Sequence, residues 1–357
     1  MKASRRKLPP KNSILCVGNF LSSHGYTRQF IEELADHLQD SGWIVTRTSK
    51  IIFRPFRLVN MVFTILARRK KYAVGHVEVF SGSAFIWAEI ACWMLKVFRK
   101  PYVLSLRGGN LPIFARHWPG RVRCLLSSAA IVIVPSRYLL EQMSPYRSDL
   151  RMISNPLDLQ VYDFQPRPSP RPALIWLRSF HKIYNPSMAP KVVARLAVHH
   201  PDILLTMVGP DKGDGSLQLT QQVAKDLGVS EIIYFPGGVA KAEVPNWLQR
   251  GDIFINTTNI DNTPISVLEA MACGLCVVST NVGGIPYLLK NEEDALLVPP
   301  DDPEAMSAAV QRILNEPGLG ASLSLNARKK VEQFDWTVIL PQWEAIFSET
   351  INKNQRI

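Results

Sequence analysis

The sequence predicts an α/β protein built from two doubly wound parallel sheets facing across a cleft, and three observations carry that expectation. At 357 residues the chain is longer than one ordinary domain. Short β-branched apolar runs alternate with helical stretches along its whole length. The alternation is interrupted once, by the Pro-rich segment Phe164 to Pro172, and then restarts.

In the first half the runs SILCVG (13–18), AVGHVEVF (73–80), PYVLSL (101–106) and AAIVIVP (129–135) have the length and composition of buried parallel strands. Helical stretches such as Thr27 to Gln39 and Ala84 to Phe98 lie between them. In the second half the strand-like runs are ALIWL (173–177), ILLTMVG (203–209), EIIYFPG (231–237), DIFIN (252–256), LCVVST (275–280) and ALLVPP (295–300). The Pro-rich segment has the composition of a linker, so a first domain is expected over 1–165 and a second over 166–335, with a closing segment, 336–357. Sheets of this kind bind ligands at the carboxyl ends of their strands.

Composition excludes several classes. Hydrophobic residues make up 46% and charged residues 20%, as in a well-cored soluble protein. The five cysteines are scattered and odd in number, which fits a reducing cytoplasm rather than a disulfide scaffold. Cys273 and Cys276 form a C-x-x-C, but one ends a helical run and the other opens an apolar strand, with no second pair nearby. The basic start MKASRRKLPPKN is followed by a short apolar run holding Gly18 and Asn19, which makes a poor signal peptide. The longest apolar stretch, Phe85 to Phe98, contains Glu89 and Lys96 and is too short to span a bilayer. A cytoplasmic protein is expected.

Charge is unevenly placed. Residues 1–150 hold 23 Lys and Arg against 8 Asp and Glu, a net of +15, whereas residues 151–357 hold 18 against 22, a net of −4. The first half therefore reads as the anion-facing one. Its densest basic segment runs from Phe53 to Tyr72, with Leu58, Met61, Val62, Ile65 and Leu66 at helical spacing and Arg54, Arg57, Arg68, Arg69, Lys70 and Lys71 towards the ends. Two readings stand: a helix lying on an anionic membrane surface, at the inner face of the membrane, or an ordinary packed helix with a solvated basic end. A nucleic-acid partner is not expected, because the basic half lacks the interleaved aromatics of a base-stacking platform.

The stretch DNTPISVLEAMACG, Asp261 to Gly274, carries the chemistry. Thr263 is placed to cap a helix, Pro264 to open it and Gly274 to end it. Ile265, Val267, Leu268, Ala270, Met271 and Ala272 make that helix apolar nearly all round and therefore buried. Glu269 lies inside it and needs a partner. No Lys or Arg occurs between Gly251 and Lys290, so the partner must come from distant sequence or from a ligand.

The segment from Asn256 to Met306 resembles the donor-binding signature of the group 1 retaining glycosyltransferases, which have the GT-B fold. Other segments resemble that family in its order: FLSSHGYTRQFIEELADHLQDSGW at the first strand and helix, KPYVLSLRGGNLP, MISNPLDLQVY between the domains, WLRSFHKIYNP at the start of the second, and FDWTVILPQWEAIFSE at the helix crossing back to the first. The resemblance implies a hexosyltransferase moving a sugar from a nucleotide-diphosphate donor, UDP or GDP, to a saccharide or lipid-linked hydroxyl acceptor in surface polysaccharide or glycolipid synthesis. It places Glu269 on the donor's ribose hydroxyls, Asp261 on the sugar's hydroxyls, the N–H groups of Ile265 and Ser266 near the diphosphate, and Gly25 near the same phosphates or the acceptor. Arg178 and Lys182 would stabilise the leaving charge. Gly237 either lines the donor pocket or makes a turn.

This chain departs from the family in places. The family's E-x7-E is Asp261-x7-Glu269 here, one methylene shorter at the first position. Where a His commonly follows the strand YVLSL the chain has Arg107, which stays protonated and suits an anion rather than a proton-transfer step. His24 and His117 stand as substitutes or as structural residues. No Asp-x-Asp motif follows a strand, and NEED, Asn291 to Asp294, reads as an exposed turn, so neither metal nor cofactor is expected. Rival readings are a sugar-nucleotide epimerase of the same fold and a catalytically inactive relative acting as a binding subunit.

Overall fold

The computed structural model describes residue 10 and residues 12–24, 28–108 and 110–355. The chain forms two compact units, Met1–Asn155 with Thr337–Ile357, and Pro156–Trp336.

The first unit holds a six-stranded parallel sheet: β1 (Ser13–Val17), β2 (Ile44–Thr48), β3 (Val74–Val79), β4 (Tyr102–Leu106), β5 (Ile131–Val134) and β6 (Arg151–Met152). Its order is β2-β1-β3-β4-β5-β6, so the winding reverses between β1 and β3. β1, β3, β4 and β5 are buried along their whole length, as their mostly apolar runs require, and β3 carries His76 and Glu78 inside with them. The helix Arg54–Ala67 buries Met61 and Ile65 against this core and turns Phe56, Val59, Phe63 and Leu66 to solvent. The apolar positions expected to meet a membrane are thus partly core, and a second apolar stripe is the exposed one. In the final helix, Trp336–Gln355, the Trp343 ring lies tilted 5.6 Å from Phe30 and 5.1 Å from His76, and Phe347 lies 5.9 Å from Trp43.

The second unit repeats the plan with β7 (Ala173–Leu177), β8 (Leu204–Val208), β9 (Ile233–Gly237), β10 (Ile253–Asn256), β11 (Cys276–Thr280) and β12 (Leu296–Val298). The order is β12-β11-β10-β7-β8-β9, all parallel, with the reversal between β7 and β10. One face packs Trp176, Leu205 and Ile255 under helices, and the other packs Ile175, Phe254 and Val277 against the helix Ile265–Ala272. Each fully buried Val or Leu of that helix contributes about 1.5–3 kcal/mol to the burial that holds it there.

Two boundary expectations need correction. The Pro-rich segment is not a linker: Arg167 is buried, its Nε 2.8 Å from Asp252 Oδ1, and Arg171 Nε also reaches Asp252, at 2.9 Å. Residues 156–165, assigned to the first domain on composition, belong to the second unit, because Leu157, Leu159 and Tyr162 pack with Ile175, Phe254 and Leu268. NEED is also not wholly exposed. Asp294 is buried, accepts from the Lys290 N–H at 2.9 Å and pairs with Lys330.

Candidate active site

The reversal between β7 and β10 separates two crossovers of opposite sense, which leaves the carboxyl ends of these strands open to a ligand. Arg178 directly follows β7, and Asp261 lies in the loop after β10. Their side chains form an ion pair, Arg178 17% and Asp261 11% exposed. The Arg178 guanidinium also sits 4.4 Å over the Tyr184 ring. Burial lowers the Arg178 pKa from its ordinary value, opposed by Tyr184 and Glu269. Two residues 83 positions apart that the sequence assigned to one ligand are thus brought into contact.

The surrounding backbone holds this pair in place. Arg178 N–H donates to Val208 O at 3.0 Å, and a Cβ on Gly209 would lie 1.6 Å from Arg178 O, so only glycine lets β8 pass there. Gly209 N–H in turn donates to Gly237 O at 2.9 Å, and Gly237 has φ +81, so it makes the turn at the end of β9. On the other side, Gly284 N–H donates to Asp261 O at 2.8 Å. A Cβ on Gly284 would lie 1.9 Å from Asn262 O. Thr257 Oγ1 accepts from Trp176 Nε1 at 2.9 Å and donates to Tyr184 O at 2.7 Å, tying the two loops together.

The helix Ile265–Ala272 starts differently from the expectation. Pro264, not Thr263, is the residue preceding it, and no side chain caps it. The N–H groups of Ile265 and Ser266 belong to its first turn, which has no intrahelical acceptors. Thr263 Oγ1 and Ser266 Oγ are buried without a hydrogen-bond partner among the described residues. An uncapped helix start flanked by two unpartnered hydroxyls and a buried guanidinium is an anion-binding arrangement. Gly274, φ +83, ends the helix as expected.

Glu269 is 3% exposed. Its Oε1 accepts from Tyr162 Oη at 2.6 Å and pairs with Lys241. Burial and Glu269 together raise the Tyr162 pKa, so Tyr162 stays a donor. The partner required by the sequence therefore comes from distant chain segments, and burial alone does not call for a ligand. Lys241, 64% exposed, and Tyr162 carry no local sequence signal.

Other candidates lie elsewhere. Lys182 is exposed, and its N–H donates to Asp214 Oδ2 at 2.9 Å. Gly25 lies outside the described residues. In the first unit Arg107 is buried, 3.6 Å over the Phe30 ring, with Nε 3.6 Å from Glu78 and a hydrogen bond to Asn155. Its Nε is buried without a hydrogen-bond partner among the described residues. Burial lowers its pKa to about 10. The same burial raises Glu78 to about 7, with Arg107 opposing and Glu32 adding. Glu32, which the sequence reading passed over, binds the N–H groups of Leu21 and Ser22 at 2.8 and 3.2 Å and so shapes the loop after β1. His24 and His117 contact the carbonyls of Lys50 and Ile113, as structural histidines do.

Residues 163–330 match the family model described as glycosyl transferases group 1. The D-inositol 3-phosphate glycosyltransferase of Thermobispora bispora is 22% identical over 85% of this chain and 77% of its own length. The MMP alpha-(1->4)-mannosyltransferase of Mycolicibacterium hassiacum is 28% identical over 44% of this chain and 38% of its own. The D-inositol 3-phosphate glycosyltransferase of Streptomyces bingchenggensis is 25% identical over 48% of this chain and only 40% of its own length. Among solved structures, sucrose-phosphate synthase from Thermosynechococcus elongatus superposes with TM-score 0.75 at 16% identity, over 96% of this chain and 100% of that one. Anabaena HepE, in complex with UDP and glucose, superposes with TM-score 0.73 at 16% identity, over 94% and 99%. The fold is that of the GT-B glycosyltransferases, and residues 163–330 are similar to the glycosyl transferases of group 1.

Proposed function

We propose that this chain is a retaining, metal-independent hexosyltransferase that uses a nucleotide-diphosphate sugar and works in the synthesis of a surface polysaccharide or glycolipid. The observation that carries the reading is the convergence of Arg178, Asp261 and the uncapped start of the Glu269 helix at the switch point of the second sheet. A diphosphate seated there would meet the Arg178 guanidinium, the hydroxyls of Thr263 and Ser266 and the helix N–H groups, with exposed Lys182 beside it on the β7 loop. These positive groups supply the neutralisation that a divalent cation gives in other transferases. Glu269 would accept from the ribose hydroxyls, exchanging part of its contact with exposed Lys241 for them. Solved HepE complexes contain UDP-glucose, which makes a UDP-sugar the first donor to try.

In the reaction, the bond between the sugar's anomeric carbon and the diphosphate oxygen breaks, and its electron pair leaves with the nucleotide. The acceptor hydroxyl attacks the same face, and its proton passes to a departing phosphate oxygen. Asp261 is held by Arg178 until the diphosphate competes for that guanidinium. The freed carboxylate then turns to the sugar's hydroxyls. Arg178→Ala should lower the slow hydrolysis of the preferred nucleotide sugar by about 10²-fold or more, and magnesium should not restore it. Unchanged hydrolysis would place the diphosphate elsewhere. Donor binding without any hydrolysis by wild type would favour a binding subunit.

A further inference from the structure

The helix Arg54–Ala67 has two apolar faces, and only one is used by the fold. Met61 and Ile65 go into the core with the Arg57 stem. Phe56, Val59, Phe63 and Leu66 recur at steps of three or four and so fall on one stripe. Three of them are exposed by 63%, 64% and 64%, in the order Phe56, Val59, Phe63. Phe53 and Ile52 extend the stripe at its start, and the Phe53 and Phe56 rings are in edge contact at 5.2 Å. The neighbouring helix Ser83–Val97 exposes Ile86, Trp93 and Val97 at similar spacing. Contiguous large apolar side chains of this number on a surface mark an interaction site.

The surrounding charge says what kind. Residues 41–77 contain eight Lys or Arg and no Asp or Glu. Arg54 at one end of the stripe and Arg68, Arg69, Lys70 and Lys71 at the other are all exposed. An apolar aromatic stripe between basic ends, on a helix whose Met61 and Ile65 anchor it in the core, is the pattern of an element that seats itself in a lipid interface. No helix among the described residues is long and apolar enough to cross a membrane.

We infer that the Phe56, Val59, Phe63 and Leu66 face inserts into an anionic bilayer surface, with Arg68 to Lys71 held at the lipid headgroups. Attraction by the basic residues brings the protein to the surface, and burial of the phenyl rings keeps it there. This deepens the reading of an enzyme that serves a lipid-linked acceptor, and its test reads vesicle binding, so it fails separately from the donor site.

The experiment is co-sedimentation of the full chain with vesicles of phosphatidylcholine alone or with about one third phosphatidylglycerol, at low and high salt. Three proteins are compared: wild type, Phe56→Ser with Phe63→Ser, and a variant with Arg68, Arg69, Lys70 and Lys71 changed to Gln. Wild type should pellet with anionic vesicles and less with neutral ones. The double serine variant should lose at least about tenfold in partitioning while keeping its melting temperature and nucleotide-sugar hydrolysis. The Gln variant should lose the salt-sensitive share, leaving weak binding indifferent to salt. Equal partitioning of wild type and the serine variant would overturn the insertion. So would wild type remaining in the supernatant with anionic vesicles, or a self-association in buffer that the serine changes abolish, which would assign the stripe to a second copy.

Discussion

At the scale of single residues, the second unit pairs Arg178 with Asp261 at its switch point, while the first buries Arg107 beside Glu78. Asp261 and Arg178 were legible because each stands beside a strand end or a helix start, where sequence punctuation is strong. Lys241 and Tyr162 were not, because nothing within their own neighbourhood marks a group that reaches Glu269 across 28 or 107 positions. Arg107 was legible as unusual but not as buried, since its Phe30 and Glu78 partners come from other elements. Glu78 gives a pH prediction. Its carboxyl is raised from 4.5 to about 7, chiefly by burial. Between those values the unfolded chain has released the proton and the folded chain holds it, so raising pH favours unfolding. The unfolding free energy of wild type relative to Glu78→Gln should therefore fall from pH 4.5 to pH 7 and level off outside that window. Urea titrations at stepped pH measure it, and a constant difference would remove Glu78 as the titrating group.

At the scale of elements, the strands found most readily from sequence are short apolar runs such as β1, β4 and β5, buried along their whole length, although the edge strand β9 was found too, with Tyr234 exposed. β2 escaped because it is an edge strand, IVTRT, with Ile44 exposed and Thr46 and Arg47 half-buried. The helix Ile265–Ala272 was found with its end correct and its start one residue off, since a proline suits the position before the first turn as well as the turn itself. The loops that deliver Arg178 and Asp261 depend on close backbone approach. Gly284→Ala tests this: its Cβ would lie 1.9 Å from Asn262 O, forcing the Asp261 loop to move. Hydrolysis should fall at least about tenfold, with a loss of about 1–3 kcal/mol in stability. Gly120→Ala, where a Cβ meets nothing within 4 Å, is the control that should change neither. Equal activity of the two variants would show that the Asp261 loop need not be held.

At the scale of the molecule, the two units share a plan and divide the chemistry. Each has a parallel sheet that reverses beside its first strand, and in the second unit that reversal is where the predicted donor residues meet. The first unit carries most of the positive charge and the exposed aromatic stripe, which fits a partner of opposite charge and apolar depth. The architecture was legible from alternation alone. The boundary was not, because proline content reports local stiffness and says nothing of the Arg167–Asp252 pair that locks residues 164–172 onto the second sheet. The central claim is that the switch point of the second sheet holds a nucleotide sugar through Glu269. Thermal unfolding with UDP-, GDP- and ADP-sugars, on wild type and Glu269→Gln, tests it most directly. At about 100 times its dissociation constant the correct donor should stabilise wild type by about 2.7 kcal/mol. Glu269→Gln should retain the unliganded melting temperature to within a few degrees and show less than half of that ligand shift. An undiminished shift in Glu269→Gln, or no shift of wild type with any nucleotide sugar, would contradict the account.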